Sequence, residues 1–150
     1  MKLIFKKISE MSNREEDRLS TFFMYVCDMP INLLVPNYSG NETACIFFEG
    51  NNFAEGEIMG ALLYREEKPS TKEIDKFSIK TMFSIVRVDT PPKMRHRGIG
   101  QRLLQETVEH LISENKPPFL IRIESILFGG IPEKFGFEEF GRYFLYKVVR

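Results

Sequence analysis

The chain has 150 residues, 43% hydrophobic and 28% charged, and its 21 Lys+Arg balance its 21 Asp+Glu, so it carries no formal net charge. A chain without a basic excess is not expected to bind duplex nucleic acid or an anionic membrane surface. Its length and composition fit one globular domain over 1–150, large enough for a substantial core.

In chain order, KLIFKKI (2–8) reads as a first strand. The surrounding apolar run is too short for a signal peptide. Asn13 followed by Glu16 forms a capping-box pattern, and Leu19, Phe22, Phe23 and Val26 recur at helical spacing. Pro30 should stop this helix and leave 30–42 irregular. Two apolar runs, Ala44–Phe48 and Ile58–Tyr64, flank the turn-rich segment EGNNFAEGE and predict a hairpin. Residues 65–76 read as a charged, solvated connection and Phe77–Thr90 as a long strand, ended by Pro91 and Pro92. A helix is expected from Gly98 to about Lys116, with Ile99, Leu103, Leu104, Val108, Leu111 and Ile112 on one apolar face. Phe119–Glu124 follows as a strand, then a short helix in IPEKF ending at Gly136. Two closing strands near Phe137–Phe140 and Arg142–Val149 complete the chain. The strand–helix–strand order around 80–124 implies a parallel pair inside an otherwise antiparallel sheet.

Cys27 and Cys45 form neither a CxxC pair nor a disulfide framework, which points to packed thiols in a reducing, cytoplasmic setting. His96 and His110, the only histidines, have no neighbouring cysteine, so no metal site is expected. No segment approaches the length of a membrane span.

The stretch MRHRGIGQRLL (94–104) places Gly98 and Gly100 where a helix begins. A helix amino terminus carries unpaired N–H groups and partial positive charge, and glycine lets an anion come close. Arg95, Arg97 and Arg102 would add charge there. The residues alone are equally compatible with a glycine-softened turn bearing solvated arginines. A P-loop pattern is absent, and Leu103 stands where the dinucleotide fingerprint needs its third glycine.

The run from Arg95 to Gly100 resembles the Q/R-x-x-G-x-G/A loop of the GNAT-type N-acetyltransferases. VDTPPKMRHRGIG is similar to the end of that family's fourth strand, and IPEKFGFEEFG to its later fYeklGF block. The implied fold is an α/β domain with a mixed, mostly antiparallel sheet, flanked by helices. Its parallel central strands would splay apart to admit coenzyme A. The resemblance spans nearly the whole chain, although 30–42 lacks a helical pattern where the family has its second helix.

The resemblance implies an acetyl-CoA-dependent N-acetyltransferase in which an acceptor amine attacks the thioester directly. Val88, Asp89 and Thr90 would lie along the pantetheine arm, with a backbone N–H there polarising the thioester carbonyl. Arg95, His96, Arg97, Gly98, Ile99, Gly100 and Gln101 would surround the pyrophosphate. The family's usual tyrosine acid is replaced by Pro132, and the glutamate of its histone-type members by Ser84. Glu124 is a candidate base or a rim carboxylate without a task, and Asp89 a candidate base or a turn cap. Tyr143, Tyr146 and Ser125 are candidate acids, the tyrosines equally candidates for core packing. The segment SILFGG is shorter than the family's equivalent link.

The acceptor is expected to meet 20–42 and 138–143, which hold Phe22, Phe23, Tyr25, Asp28, Tyr38, Glu138 and Glu139. Small amine, peptide terminus and protein lysine all stay open. The missing acid and base leave a second function in view, a non-catalytic acyl-CoA sensor or interaction module of the same fold. A scaffold without cofactor is a third. The oligomeric state is not legible; a homodimer is common for this fold, which is analogy alone.

Overall fold

The unbroken apolar run Ala44–Phe48 is that of a strand covered on both faces. Ala44, Ile46 and Phe48 pack into one hydrophobic cluster with Leu19, Phe22 and Phe23. Cys45 and Phe47 pack into another with Leu103, Leu104 and Leu111. Helices therefore cover opposite sides of one sheet, as alternation along a strand requires.

The computed structural model describes residues 1–124 and 132–149. Its elements are β1 (Lys2–Lys7), α1 (Asn13–Cys27), α2 (Ile31–Leu34), β2 (Thr43–Glu49), β3 (Glu57–Glu67), α3 (Thr71–Phe77), β4 (Met82–Asp89), α4 (Ile99–Glu114), β5 (Phe119–Glu124), β6 (Glu138–Phe140) and β7 (Tyr143–Val148). Short 3-10 turns cover Ile8–Glu10, Pro92–Met94 and Pro132–Phe135. The strands form one seven-stranded sheet in the order β1-β2-β3-β4-β5-β7-β6. Among the described residues only β4 and β5 run parallel, joined through α4 as a parallel crossover requires. Among the described residues, no helix is long and apolar enough to cross a membrane.

Several elements differ from the sequence expectation. The capping box of α1 uses Ser12 and Glu15, one residue before the expected Asn13 and Glu16. Glu15 also accepts a bond from Lys6 Nζ at 2.8 Å, a tertiary partner on β1 that favours this register. The 30–42 stretch contains one helical turn, α2. The charged 65–76 stretch is not a free connection. It holds the end of β3 and most of α3, which is capped by Ser70 and Glu73. Glu73 is only 4% exposed, so its charge served the cap and not solvent. Phe77 accordingly ends a helix, and the strand expected from Phe77 begins at Met82. Gly98 caps α4 from the left-handed region and is not its first helical residue.

Two irregularities prepare the site. Pairing of β4 with β5 runs from Met82 opposite Leu120 to Ile85 opposite Ile123 and then stops. Among the described residues, β4 continues to Asp89 beside β3 alone. The β3–β4 register also shifts, with Leu63 opposite Arg87 but Tyr64 opposite Ile85, so Val86 forms a bulge. A bulge bends its strand and commonly ends pairing. Beyond Ile85 the rest of β4 has no partner on the β5 side among the described residues.

Candidate active site

Pro91 and Pro92 cannot extend the β4 ladder. The chain leaves the strand through the Pro92–Met94 turn and enters α4 through Arg95–Gly98. His96 and Gly98 both have positive φ, 65° and 75°. Glycine adopts that region without cost, and histidine is one of the few other residue types that enter it with some frequency, as Asp28, Asn37 and Ser78 also do in this chain. Arg102 N–H donates the first bond of the helix, to the Gly98 carbonyl at 3.0 Å. The N–H groups of Ile99, Gly100 and Gln101 precede it, so the helix gives them no internal acceptor.

These groups border a cleft of about 430 Å³, lined by Val88, Asp89, Thr90, Met94, Arg95, His96, Gly98, Ile99, Gly100 and Gln101. A Cβ at Gly98 would meet nothing within 4 Å, and one at Gly100 only Val88 Cγ2 at 3.9 Å. Folding therefore asks for no glycine at 100. The space beside it is left open, as a cradle for an anion would need. Ile99 is 4% exposed, so it offers the cleft only its backbone.

The arginines divide. Arg95 lines the cleft, but Arg97 Nη1 turns to Met94 Sδ at 3.8 Å. The Arg102 guanidinium lies 4.8 Å from the centre of the Phe47 ring, a cation–π contact over the sheet. The expected three-arginine cluster is thus reduced to one lining residue. His110 stacks on Phe5 with ring centres 3.8 Å apart, which accounts for it as packing.

A second cavity, of about 300 Å³, opens at the carboxyl ends of β4 and β5. It is lined by Pro36, Asn37, Arg65, Glu67, Ser84, Ile85, Val86, Arg122, Glu124, Arg142 and Tyr143. Glu124 and Tyr143 are register partners on β5 and β7, and so stand side by side here. The Tyr143 hydroxyl accepts from Arg142 Nε at 3.2 Å and Nη2 at 3.1 Å, while Arg122 lies 4.5 Å from its ring centre. Two acceptances fill the hydroxyl's acceptor positions and leave its proton to be donated elsewhere. Tyr146 is not brought here; it packs on Phe137, ring centres 5.3 Å apart. Ser125 and the SILFGG link lie outside the described residues.

Asp89 is neither a turn cap nor a free base. Both its oxygens are bound by Arg87, Nε at 2.6 Å and Nη2 at 2.9 Å. Cys27, on α1, lies beside this pair; burial and then the Asp89 charge push its thiol pKa up, which disfavours a nucleophilic thiolate. Cys45 is fully buried and its thiol is pushed up to about 12 by desolvation.

Sequence reasoning did not single out Gly60, Glu67 or Arg122. A Cβ at Gly60 would sit 2.6 Å from Ile99 Cγ2 and 3.3 Å from Thr90 Cγ2, so this glycine lets α4 close on the sheet beside the cleft. Glu67 and Arg122 meet Ser84 inside the second cavity. The only sequence signal for them was charge within strands otherwise apolar.

No protein-family model matches the chain, and no curated protein matches it in sequence. Solved structures do match in fold. Arabidopsis thaliana NAA60 in complex with acetyl-CoA aligns with a TM-score of 0.64 at 13% identity, over 98% of this chain and 99% of that one. A mosquito arylalkylamine N-acetyltransferase-like protein aligns at 0.65 and 10% identity, over 98% and 100%. A putative N-acetyltransferase from Lactobacillus plantarum aligns at 0.59 and 14% identity, over 99% and 98%. The chain has the fold of the GNAT N-acetyltransferases, with a mixed sheet and, among the described residues, one parallel strand pair.

Proposed function

We propose that the chain is an N-acetyltransferase that moves an acetyl group from acetyl-CoA to an amine. The observation that carries this reading is the β4 edge beyond Ile85, unpaired on the β5 side among the described residues, with a glycine cradle at one side and a polar cavity at the other. Acetyl-CoA as substrate supplies the activated thioester. The N–H groups of Ile99, Gly100 and Gln101 would hold its pyrophosphate, with Arg95 adding charge from the rim. The β4 edge from Val86 to Asp89, which has no strand partner on the β5 side among the described residues, would pair with the pantetheine arm. A backbone N–H near Val88–Thr90 would stabilise the oxyanion.

In the reaction the amine nitrogen forms a bond to the carbonyl carbon and the carbon–sulfur bond breaks. Glu124 takes the proton the amine loses, directly or through water, and the Tyr143 hydroxyl gives one to the thiolate. Positioning of the two substrates supplies much of the rate. With Pro132 buried and Ser84 bonded to Glu67 and Arg122, the usual positions for acid and base are closed to that work. The acceptor enters the cavity between Asn37 and Tyr143.

Calorimetric titration with acetyl-CoA is the first test. Saturable binding is expected in the native chain, with a loss of at least about tenfold in Gly100→Gln, whose side chain would fill the cradle. Glu124→Gln should keep that binding and lower kcat about a hundredfold, within the usual range for a lost general base. A folded chain that binds no acetyl-CoA would remove the transferase reading. Binding without turnover on any amine would leave the acyl-CoA sensor.

A further inference from the structure

We infer that the acceptor is a small α-amino acid and that Arg142 is the residue that selects it, by binding its carboxylate; the inference rests on the acetyl-transfer reading above. In the floor of the second cavity the ions are engaged with one another. Glu67 Oε1 accepts from Arg65 Nε at 2.6 Å, and its Oε2 accepts from Arg122 Nη2 and from Ser84 Oγ at 3.1 Å. Behind them Glu42 accepts from Arg65 Nη1 at 3.1 Å, and Glu73 lies 3.8 Å from Arg122 Nη1. A ligand that bound the floor would have to break one of these pairs.

The rim differs. Arg142 stands on the turn between β6 and β7 and lines the cavity beside Tyr143. Its Nε and Nη2 donate to the Tyr143 hydroxyl, a neutral oxygen. Among the described residues no salt bridge joins Arg142 to a carboxylate. Residues 125–131, which lie outside the described ones, contain neither Asp nor Glu. The lining holds three arginines against two glutamates, and Arg142 is the arginine not taken up by the floor. A guanidinium has further N–H donors on its Nη atoms, in the planar arrangement that suits a carboxylate. The bonds to Tyr143 fix its direction beforehand, which lowers the entropic cost of binding.

Glu124 completes the fit. It lines the same cavity and is the register partner of Tyr143, the residue next to Arg142. In an α-amino acid the ammonium and carboxylate groups flank one carbon, so a single molecule can meet Glu124 with its nitrogen and Arg142 with its carboxylate. That pose brings the nitrogen to the group that takes its proton in the transfer step. After transfer the nitrogen is an uncharged amide, and Glu124 no longer holds it. A diamine would set its second ammonium against Arg142, and a simple amine would leave the guanidinium unmatched, so both are disfavoured. Pro36 and Val86 offer the side chain apolar contact.

The test uses leucine, leucinamide and isopentylamine, which share an alkyl chain and carry a carboxylate, a neutral amide and neither. Titrated into the full chain with coenzyme A present, leucine is expected to bind at least about tenfold more tightly than leucinamide, and isopentylamine no better than leucinamide. Arg142→Gln should shrink that ratio to about twofold while circular dichroism stays native, and Arg142→Lys, which keeps the charge without the fork, should give an intermediate ratio. The ratio is read within each variant, so a general weakening through Tyr143 does not move it. Equal binding of leucine and leucinamide, no binding of leucine, or a ratio unchanged in Arg142→Gln would overturn the inference. A parallel assay with acetyl-CoA separates the two readings. Isopentylamine acetylated with no preference for leucine sinks the inference and leaves acetyl transfer standing. Leucine bound in the expected order but never acetylated supports the inference and sinks the transfer reading.

Discussion

Gly60 shows how one residue in the middle of a strand can govern a site it does not line. Its missing side chain lets Ile99 and Leu103 close on β3, which seats the first turn of α4 next to Thr90. Gly60→Ala would push a methyl to 2.6 Å from Ile99 Cγ2, and overpacking of this kind costs about 1–3 kcal/mol. The expected outcome is a lower urea midpoint together with weaker acetyl-CoA binding, read in the same preparation. Gly98 and Gly100 differ although they sit one residue apart. Gly98 is required by its φ of 75°, and Gly98→Ala should cost about 1–2 kcal/mol through strain alone. Gly100 lies in helical backbone with open space beside it, so Gly100→Ala should leave stability nearly unchanged. The glycine pair was legible in the sequence. The separate fates of Arg97 and Arg102 were not, because a side chain's direction depends on what lies nearby, here Met94 and the Phe47 ring.

At the scale of elements, local signals were readable where one rule acted alone. α4 and the β2–β3 hairpin fall close to their expected places because apolar periodicity and turn residues agree there. At α1 the segment SNREE offers two overlapping capping boxes, and only the reach of Lys6 to Glu15 distinguishes them. At α3 the charges of KPSTKEIDK hid a Ser70–Glu73 capping box whose glutamate then faces Arg122. Ser12→Ala should lower stability by about 1 kcal/mol, the usual worth of a cap. Ser70→Ala should cost at least as much, since it also frees Glu73 beneath the cavity. Urea unfolding with an unchanged m-value checks both.

Over the whole molecule, burial couples stability to pH. Burial raises the pKa of Cys45 from 9.0 to about 12, and it also raises those of Cys27, Tyr38 and Tyr64. Above pH 9 the unfolded chain loses a Cys45 proton that the folded chain keeps, so the unfolded state binds fewer protons and stability falls as pH rises. The loss should begin near pH 9 and continue towards about 12, at no more than about 1.4 kcal/mol per pH unit for each such group. Urea midpoints measured from neutral to alkaline pH would reveal it, and Cys45→Ala should flatten the slope. Apart from α2 and α3, the succession of strands and helices was determined by the sequence itself, as were the parallel crossover around α4 and the glycine pair, because each depends on neighbours within one or two turns of chain. Only the tertiary structure decided where the described pairing of β4 with β5 ends, that Val88–Thr90 and Arg95–Gln101 share one cleft, and that Glu67, Ser84 and Arg122 meet across three strands. Register, bulges and ion networks join residues far apart in sequence, and their energies depend on packing that no local pattern encodes.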